Sequence, residues 1–295
     1  MTTWAEWSTH ATMLAVADLH IATYDLGDPA GKPLTFLHGY PSSSLDVAPT
    51  WDVLERDTDP GWRLLTLDMP GFGASDKPVD HPHSIHAATD AVEAMWAARN
   101  VTHTLVAAHD YSVSVAQELL ARRAEGALAT RIDGIVFMNG GLYPDLHRQT
   151  VGQQLLLSEE GEAFAASMTQ DMFVSGIAGT WGTRVPFDEA EMREMHLGMA
   201  ASGGVQQMHR LLHYIADRRE HADRWRTALE STDLPLAFAW GDLDPVSGAH
   251  VMERIVPRFP HADIKQLADV GHWPPLEAPD VVADVIRRTA SRAGI

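Results

Sequence analysis

The sequence predicts an α/β protein built on a mostly parallel eight-stranded sheet, with helices on both faces of the sheet and an inserted helical cap. Two observations carry this prediction. Short apolar runs alternate with longer helical patterns along most of the chain, which is typical of a parallel sheet covered by helices. One long internal stretch interrupts the alternation and shows helical patterns only.

Eight apolar runs have the length and composition of β-strands. They cover residues 11–17 and 19–26, followed by Leu34–His38, Arg63–Asp68, Thr104–Ala108, Ile132–Asn139, Leu236–Gly241 and Ala262–Leu267. Helical patterns cover residues 84–99, 113–125, 249–256 and 279–291. This alternation places helices on both faces of the predicted sheet.

The stretch from Tyr143 to Trp225 is predicted to be the helical cap. It contains no convincing strand, and its methionines at 192, 195 and 199 recur at helical spacing. Such a stripe favours core packing, and an adaptable apolar face that lines a substrate pocket is compatible with it. We expect residues 1–142 and 226–295 to form the core domain and residues 143–225 to cover an active site.

The composition is that of an ordinary globular enzyme, with 45% hydrophobic and 21% charged residues. The net charge of −18 disfavours nucleic acid and anionic membranes as partners, so we expect a small neutral organic substrate. The chain has no cysteine, which excludes disulfides and thiolate chemistry. The first ten residues lack a signal-peptide pattern, and no run approaches the roughly 18 apolar residues of a membrane span. We therefore expect a cytoplasmic monomer or homodimer.

Polar residues follow three of the predicted strands, and a histidine follows the last strand. The segments are His38–Ser44, His109–Tyr111, Gly241–Pro245 and Val270–Pro274. Reactive groups in open α/β sheets gather at the carboxyl ends of strands. In chain order these segments supply a turn, a nucleophile, an acid and a histidine, which is the order of the α/β-hydrolase triad.

Three residues compete as the nucleophile: Asp110, Ser112 and Ser114. A strand-to-helix elbow strains its central residue, so the residues two positions before and after it must be small. Asp110 has Ala108 and Ser112 at those positions, whereas Ser112 would have the larger Asp110. Ser114 also fits sterically, but it lies five residues beyond the apolar run and is expected inside the helix. The spacing favours Asp110 and leaves Ser114 as the main alternative.

A carboxylate nucleophile attacks an sp3 carbon and forms an alkyl–enzyme ester. His272 would then deprotonate the water that hydrolyses the ester, and Asp244 would orient His272. Asp242 competes for that role, but it is nearer the strand end, whereas Asp244 lies out in the loop. The backbone N–H groups of Tyr40 and Tyr111 are expected to form the oxyanion hole.

The chain resembles the α/β-hydrolase superfamily, in particular the branch of epoxide hydrolases and haloalkane dehalogenases. The motifs that carry the resemblance are His38–Pro41, Asp68–Pro78, Ala108–Tyr111, Gly241–Asp244 and Gly271-His272. A closer resemblance, to the mesoderm-specific transcript group, is carried by His109–Tyr111, Val115–Leu120, Asn139–Pro144, Leu211–Ile215 and Arg224-Trp225. It independently implies a nucleophile at Asp110 and supplies no substrate.

The resemblance implies substrate-binding residues as well. Epoxide hydrolases use cap tyrosines to protonate the ring oxygen, and Tyr214 matches the second of these, while Tyr143 is the candidate for the first. Haloalkane dehalogenases hold the halide with a Trp after the nucleophile and an Asn or second Trp. Here those positions are Tyr111 and Tyr40, which leaves Trp181 or Trp273 as substitutes. We also place Trp273 and His38 beside the substrate, with His38 supporting the turn.

The leading hypothesis is therefore an epoxide hydrolase. The alternatives are a haloalkane dehalogenase that uses the same covalent Asp110, an ester or lactone hydrolase that uses Ser114, and a ligand-binding protein of this fold with little turnover. No metal cluster or glycine-rich phosphate loop is evident in the sequence, so we expect no cofactor and no metal.

Overall fold

A computed structural model describes residues 2–58 and 61–295. Its strands are β1 (Thr12–Val16), β2 (Leu19–Gly27), β3 (Lys32–Leu37), β4 (Trp62–Leu67), β5 (His103–Asp110), β6 (Arg131–Gly140), β7 (Leu236–Gly241) and β8 (Asp263–Leu267). Each of the eight predicted strands is present, and the predicted bounds differ from the observed ones only near the strand ends.

The strands form one sheet in the order β1-β2-β4-β3-β5-β6-β7-β8. β2 pairs antiparallel with β1 and β4, and the strands from β4 to β8 along this order are parallel. The prediction of a mostly parallel eight-stranded sheet is confirmed. The strand order reverses at β3, because the chain moves from β3 to β4 on one side and then to β5 on the other. Crevices at such a switch point are where α/β proteins bind ligands.

The α-helices complete the alternation. They are α1 (Trp4–Ser8), α2 (Ala48–Leu54), α3 (Ile85–Ala98), α4 (Tyr111–Ala124), α5 (Val151–Leu156), α6 (Gly161–Ser167), α7 (Gln170–Ala178), α8 (Glu189–Ala200), α9 (Met208–Leu211), α10 (Tyr214–Glu220), α11 (Ala222–Ser231), α12 (Ala249–Arg258), α13 (Pro274–Glu277) and α14 (Pro279–Ala293). The four helices predicted outside the cap correspond to α3, α4, α12 and α14. None of the described helices combines the length and apolar character needed to cross a membrane.

The two faces of the sheet pack against different helices. Along β5, Leu105 and Ala107 face a core that includes residues of α2 and α14, whereas Val106 and Ala108 face a core that includes α3 and α4. This alternation follows from the two-residue period of a strand. It accounts for the continuous apolar sequence of β5, because a strand covered on both faces needs apolar residues at every position.

Helices α5 to α11 lie between β6 and β7, and the described residues of this segment contain no strand. Met192, Met195 and Met199 of α8 are buried in the same core cluster as α3 and α4. Core packing therefore accounts for this methionine stripe.

Candidate active site

Asp110 ends β5 and is the N-cap residue of α4. Its backbone has φ 46° and ψ −103°, a strained conformation for a residue with a side chain. The turn after β3 lies directly against this elbow: a Cβ atom on Gly39 would come 2.8 Å from His109 Nδ1 and 3.0 Å from Asp110 Cβ. Only glycine fits there, which is why the His38-Gly39-Tyr40 turn can reach the Asp110 side chain.

The structure brings Asp110, His272 and Asp244 together. The backbone N–H of Tyr40 donates to Asp110 Oδ1 over 2.9 Å, and His272 Nε2 lies 3.4 Å from Asp110 Oδ2. On the other side of the ring, His272 Nδ1 donates to Asp244 Oδ2 over 2.7 Å. Asp242 instead accepts a hydrogen bond of 3.1 Å from Gln266. Of the two candidate acids, Asp244 is the one in contact with His272.

Three further donors fix the Asp244 carboxylate. Asn139 Nδ2 and Ser247 Oγ donate to Oδ2 over 3.0 and 2.7 Å, and the N–H of Val246 donates to Oδ1 over 2.7 Å. Asn139 also exchanges two hydrogen bonds with the backbone of Gly241, so it joins the ends of β6 and β7. The role of Asn139 was not predicted; its signal in the sequence is an amide at the end of an otherwise apolar strand.

The loop that carries His272 is held from two sides. His109 Nε2 donates to the His272 carbonyl and the His272 N–H donates to the Thr180 carbonyl, both over 2.8 Å. The buried carboxylate of Glu277 accepts N–H groups from Gly271, Trp273 and Gly182 at 2.8 to 3.1 Å. Glu277 thus connects the His272 loop to residue 182 of the inserted segment. Sequence reasoning missed Glu277 because a lone Glu after His272 gives no sign of burial.

The charges of the three site residues depend on one another. Burial alone would raise the pKa of Asp110, but the hydrogen bond and charge of His272, together with the charge of Arg218, hold it well below its ordinary value. Burial alone would lower the pKa of His272, but the carboxylates of Asp244 and Asp110 raise it well above its ordinary value. These influences favour an ionised Asp110 carboxylate beside a protonated His272 ring.

The two serines near the elbow are engaged elsewhere. Ser112 Oγ donates to the His38 carbonyl over 2.5 Å, and Ser114 Oγ accepts a hydrogen bond of 2.7 Å from Arg218 Nε. Within the described part of the chain, neither hydroxyl has a hydrogen bond to His272. Ser114 lies in α4, as its distance from the apolar run predicts.

A cavity of about 600 Å³ opens above the Asp110 carboxylate and the His272 ring. Its wall is mostly apolar and comes largely from α5 to α7 of the inserted segment, including Met168 and Met172. The other lining residues are Tyr40, Pro41, Thr150, Val151, Gly152, Gln153, Leu155, Leu156, Phe164, Asp171, Phe173, Ser175, Gly176, Ile177, Thr180, Met208, Val246 and Trp273. In residues 2–58 and 61–295, no group of three or more histidine or acidic side chains is arranged to hold a metal.

The structure corrects the expectation for His38. Its ring is fully buried and outside the cavity wall; Nδ1 donates to the Gly39 carbonyl over 2.8 Å, and Nε2 accepts the N–H of Met69 over 3.1 Å. Both ring nitrogens are thus used by the backbone, so His38 supports the turn and does not lie beside the substrate. Trp273 does line the cavity, and its indole N–H donates to Thr180 Oγ1 over 2.9 Å.

Tyr214 is fully buried, and its hydroxyl has no hydrogen-bond partner among the described residues. Its ring lies 5.1 Å from that of Tyr111 and 6.2 Å from that of Tyr40, which lines the cavity. Tyr214 itself is behind this wall. Burial and the charge of Asp110 raise its pKa, so it stays a phenol. The hydroxyl of Tyr143 donates to Glu230 over 3.2 Å, so Tyr143 is not a free donor.

Tyr111 is the first residue of α4, and its ring is buried against those of Phe72 and Tyr214. The first N–H groups of a helix have no intrahelical partner and carry partial positive charge. The backbone N–H of Tyr111 follows Asp110 directly in the chain, and the N–H of Tyr40 donates to the Asp110 carboxylate.

The alpha/beta hydrolase family matches residues 36–285. The protein LipZ of Mycobacterium tuberculosis, named as a hydrolase, is 32% identical over 257 residues, which cover 87% of this chain and 88% of LipZ. The mesoderm-specific transcript homolog protein of Bos taurus is 32% identical over 286 residues, covering 92% of this chain and 83% of that protein.

Among solved structures, that of haloalkane dehalogenase DbeA from Bradyrhizobium elkani USDA94 has a TM-score of 0.78 at 19% identity, covering 96% of this chain and 99% of that chain. This similarity shows the fold and leaves the reaction open. The resemblance expected from the sequence motifs is confirmed by the family match and by the mesoderm-specific transcript relative. The chain belongs to the alpha/beta hydrolase family.

Proposed function

We propose that this hydrolase is an epoxide hydrolase that works through a covalent alkyl–enzyme ester on Asp110. The observation that carries the proposal is the position of the Asp110 carboxylate. It lies at the strained elbow, 2.9 Å from the N–H of Tyr40 and 3.4 Å from His272 Nε2. A carboxylate so placed, ionised and open to an apolar cavity, is suited to attack an sp3 carbon.

In the first step, Asp110 attacks one ring carbon of the epoxide. The C–O bond of the ring breaks and its electron pair moves to the oxygen. The hydroxyl of Tyr214 supplies the proton, which requires the inserted segment to shift so that this buried hydroxyl reaches the cavity. Esterification removes the negative charge of Asp110, which had helped to hold the proton on His272. The His272 proton can then restore the Tyr214 hydroxyl, leaving a neutral imidazole as the base.

In the second step, His272 removes a proton from water, and the hydroxide attacks the carbonyl carbon of the Asp110 ester. The N–H groups of Tyr40 and Tyr111 stabilise the resulting oxyanion. The intermediate then collapses: the bond to the ester oxygen breaks, and the proton of the added hydroxyl passes to the leaving alkoxide, which releases the diol and returns the carboxylate. Asp244 stabilises the imidazolium formed in this step. The net reaction adds one water to one epoxide.

The indole donors favour an epoxide over a haloalkane as the substrate. Trp181 Nε1 donates to the Val185 carbonyl over 3.1 Å, and Trp273 Nε1 donates to Thr180 Oγ1. Neither of these indole N–H groups is free to hold a departing halide. The free hydroxyl of Tyr214 suits an alkoxide, which needs a proton rather than an anion site. We further propose that residues 143–225 form a cap whose apolar wall selects small neutral organic substrates.

Covalent trapping tests the proposal. His272→Gln keeps the nucleophile and removes the base, so an epoxide should leave a stable adduct on the peptide that contains Asp110. Panels of epoxides and haloalkanes, followed by digestion and mass spectrometry, identify both the residue and the substrate class. Asp110→Ala in the same background is the control that should give no adduct. Adducts from haloalkanes alone would indicate a dehalogenase, and an acyl adduct on Ser114 would contradict the carboxylate nucleophile.

Replacing Tyr214 with Phe removes the proposed proton donor and keeps the ring. We expect ring opening to slow by about 10- to 100-fold, because general acid catalysis commonly contributes at least that much, while ester hydrolysis changes little. Single-turnover measurements separate the two steps. Tyr143→Phe is the matched control, since its hydroxyl binds Glu230. Unchanged alkylation kinetics in Tyr214→Phe would rule out its role as the donor.

A further inference from the structure

Arg218 of α10 is a buried cation without a carboxylate partner. Its side chain is only 1% exposed, and no Asp or Glu oxygen of residues 2–58 and 61–295 forms an ion pair with it. Burying a guanidinium is unfavourable unless hydrogen bonds and a nearby anion compensate the lost hydration. The groups that surround Arg218 must therefore compensate the burial of its charge.

The contacts of Arg218 converge on the nucleophile elbow. Its Nη2 donates to the backbone carbonyl of Asp110 over 3.0 Å, and its Nε donates to Ser114 Oγ over 2.7 Å. The guanidinium lies 4.4 Å from the centre of the Tyr214 ring. Two adjacent N–H groups thus hold one residue at the strained position and a second residue in the first turn of α4.

The third guanidinium nitrogen of Arg218, Nη1, packs against the backbone of Gly141, which follows β6. A Cβ atom on Gly141 would lie 2.4 Å from Arg218 Nη1, so the absence of a side chain at position 141 gives the guanidinium its place. The charge of Arg218 also helps to lower the pKa of Asp110, after the larger influence of His272 and ahead of that of His109. Arg218 therefore acts on Asp110 in two ways, through the hydrogen bond to its backbone carbonyl and through its positive charge.

We propose that Arg218 is a positioning residue of the nucleophile, through which α10 holds the Asp110 elbow and keeps its carboxylate anionic. This role rests on the proposed function of Asp110. α10 belongs to the segment inserted between β6 and β7, whereas Asp110 belongs to the sheet. Alkylation thus depends on the docking of the inserted segment, in addition to the shape that segment gives the cavity.

The test uses the alkylation half-reaction in the His272→Gln background. Loss of the His272 charge leaves Arg218 as the largest remaining positive influence on Asp110. The rate of adduct formation with an epoxide that labels the parent is followed by intact-protein mass spectrometry across the acid pH range. The variants are Arg218→Met, Arg218→Lys and Gly141→Ala, and circular dichroism checks that each is folded.

Arg218→Met should slow alkylation by about tenfold or more. It should also shift the acid limb of the pH profile to higher pH, because a carboxylate that loses a nearby cation binds its proton more tightly. In Arg218→Lys, the acid limb should lie between those of the parent and of Arg218→Met, because lysine keeps the positive charge. The alkylation rate should stay below that of the parent, because lysine lacks the paired N–H donors of arginine. Gly141→Ala should displace the guanidinium and give an intermediate loss. Arg219→Met, at the exposed neighbouring position, is the matched control.

The possible failures are distinguishable. If the His272→Gln parent forms no adduct with any panel member, the proposed function fails, and this role fails with it. If the parent is labelled but folded Arg218 variants keep its rate and its acid limb, only the role of Arg218 is overturned. If a variant loses the same fraction of its alkylation rate at every pH and its acid limb does not move, the proposed role of Arg218 is also overturned. Such a result would mean that Arg218 acts only on structure and leaves the protonation of Asp110 unchanged. Should Arg218→Met not fold, Arg218→Lys and Gly141→Ala decide the question.

Discussion

Replacing Asp110 with Ala is expected to abolish turnover, with a loss of about 10,000-fold or more in kcat. The alanine variant has no group at the elbow that can form the covalent intermediate. It also leaves His272 with Asp244 as its remaining carboxylate contact. Product formation from an epoxide, measured by chromatography, gives the rate, and the absence of any labelled peptide shows that the covalent step is lost.

The rival serine provides the comparison for this prediction. Ser114→Ala should still be alkylated at Asp110, although the loss of the Arg218 contact at Ser114 can alter the rate. A protein that loses activity in Ser114→Ala and keeps it in Asp110→Ala would use a serine nucleophile. That result would mean that the protein catalyses acyl transfer and does not attack an sp3 carbon.

Replacing Asp244 with Asn should stop the second step while the first continues. The amide cannot stabilise the imidazolium and can hold the ring in the wrong tautomer, an exchange that costs about 10,000-fold in serine proteases. Losing the Asp244 charge also lowers the pKa of His272, since that carboxylate is the first of the influences that raise it. The alkyl–enzyme ester should therefore accumulate during turnover.

Intact mass measurements during steady-state turnover check this expectation, because the ester adds the mass of one substrate. Asp242→Asn is the matched control: its carboxylate accepts a bond from Gln266 and has no contact with His272. Equal effects of the two substitutions would contradict the assignment of Asp244. A drop in the rate of alkylation itself, without accumulation of the ester, would contradict the division into two steps.

Most of the sheet could be predicted from the sequence because buried strands reveal themselves locally. A strand covered on both faces must be apolar at every position, and a polar residue at its end marks the edge where reactive groups gather. This reasoning selected Asp110, Asp244 and His272, which are distant in sequence. The short helices α1, α2 and α13, with 5, 7 and 4 residues, escaped prediction because they contain too few turns to show a helical period.

The side chains that hold Asp110, Asp244 and His272 in place could not be predicted from the sequence, because their contacts depend on tertiary packing. Arg218 lies in the sequence Asp217-Arg218-Arg219-Glu220, which resembles a solvated helix face, yet its guanidinium is buried against Asp110. His38 illustrates the opposite error. A histidine after a strand suggests chemistry, but its ring binds the backbone of Gly39 and Met69. Sequence position shows which residues reach an edge, and only packing shows where their side chains point.

The hydrogen bonds of the His272 loop tie one part of the inserted segment, near residues 180–182, more firmly to the core than another part, α5. Outward motion near residue 180 would break the hydrogen bond that the His272 N–H donates to the Thr180 carbonyl and the one that the Gly182 N–H donates to Glu277. That edge cannot open without loosening the loop that carries His272. The part of the wall that α5 forms is more exposed: Val151 and Leu155 line the cavity and are 72% and 43% exposed. We therefore expect substrate to enter beside α5, which has no hydrogen bond to His272 within the described residues, so the position of the His272 ring should change little as substrate enters.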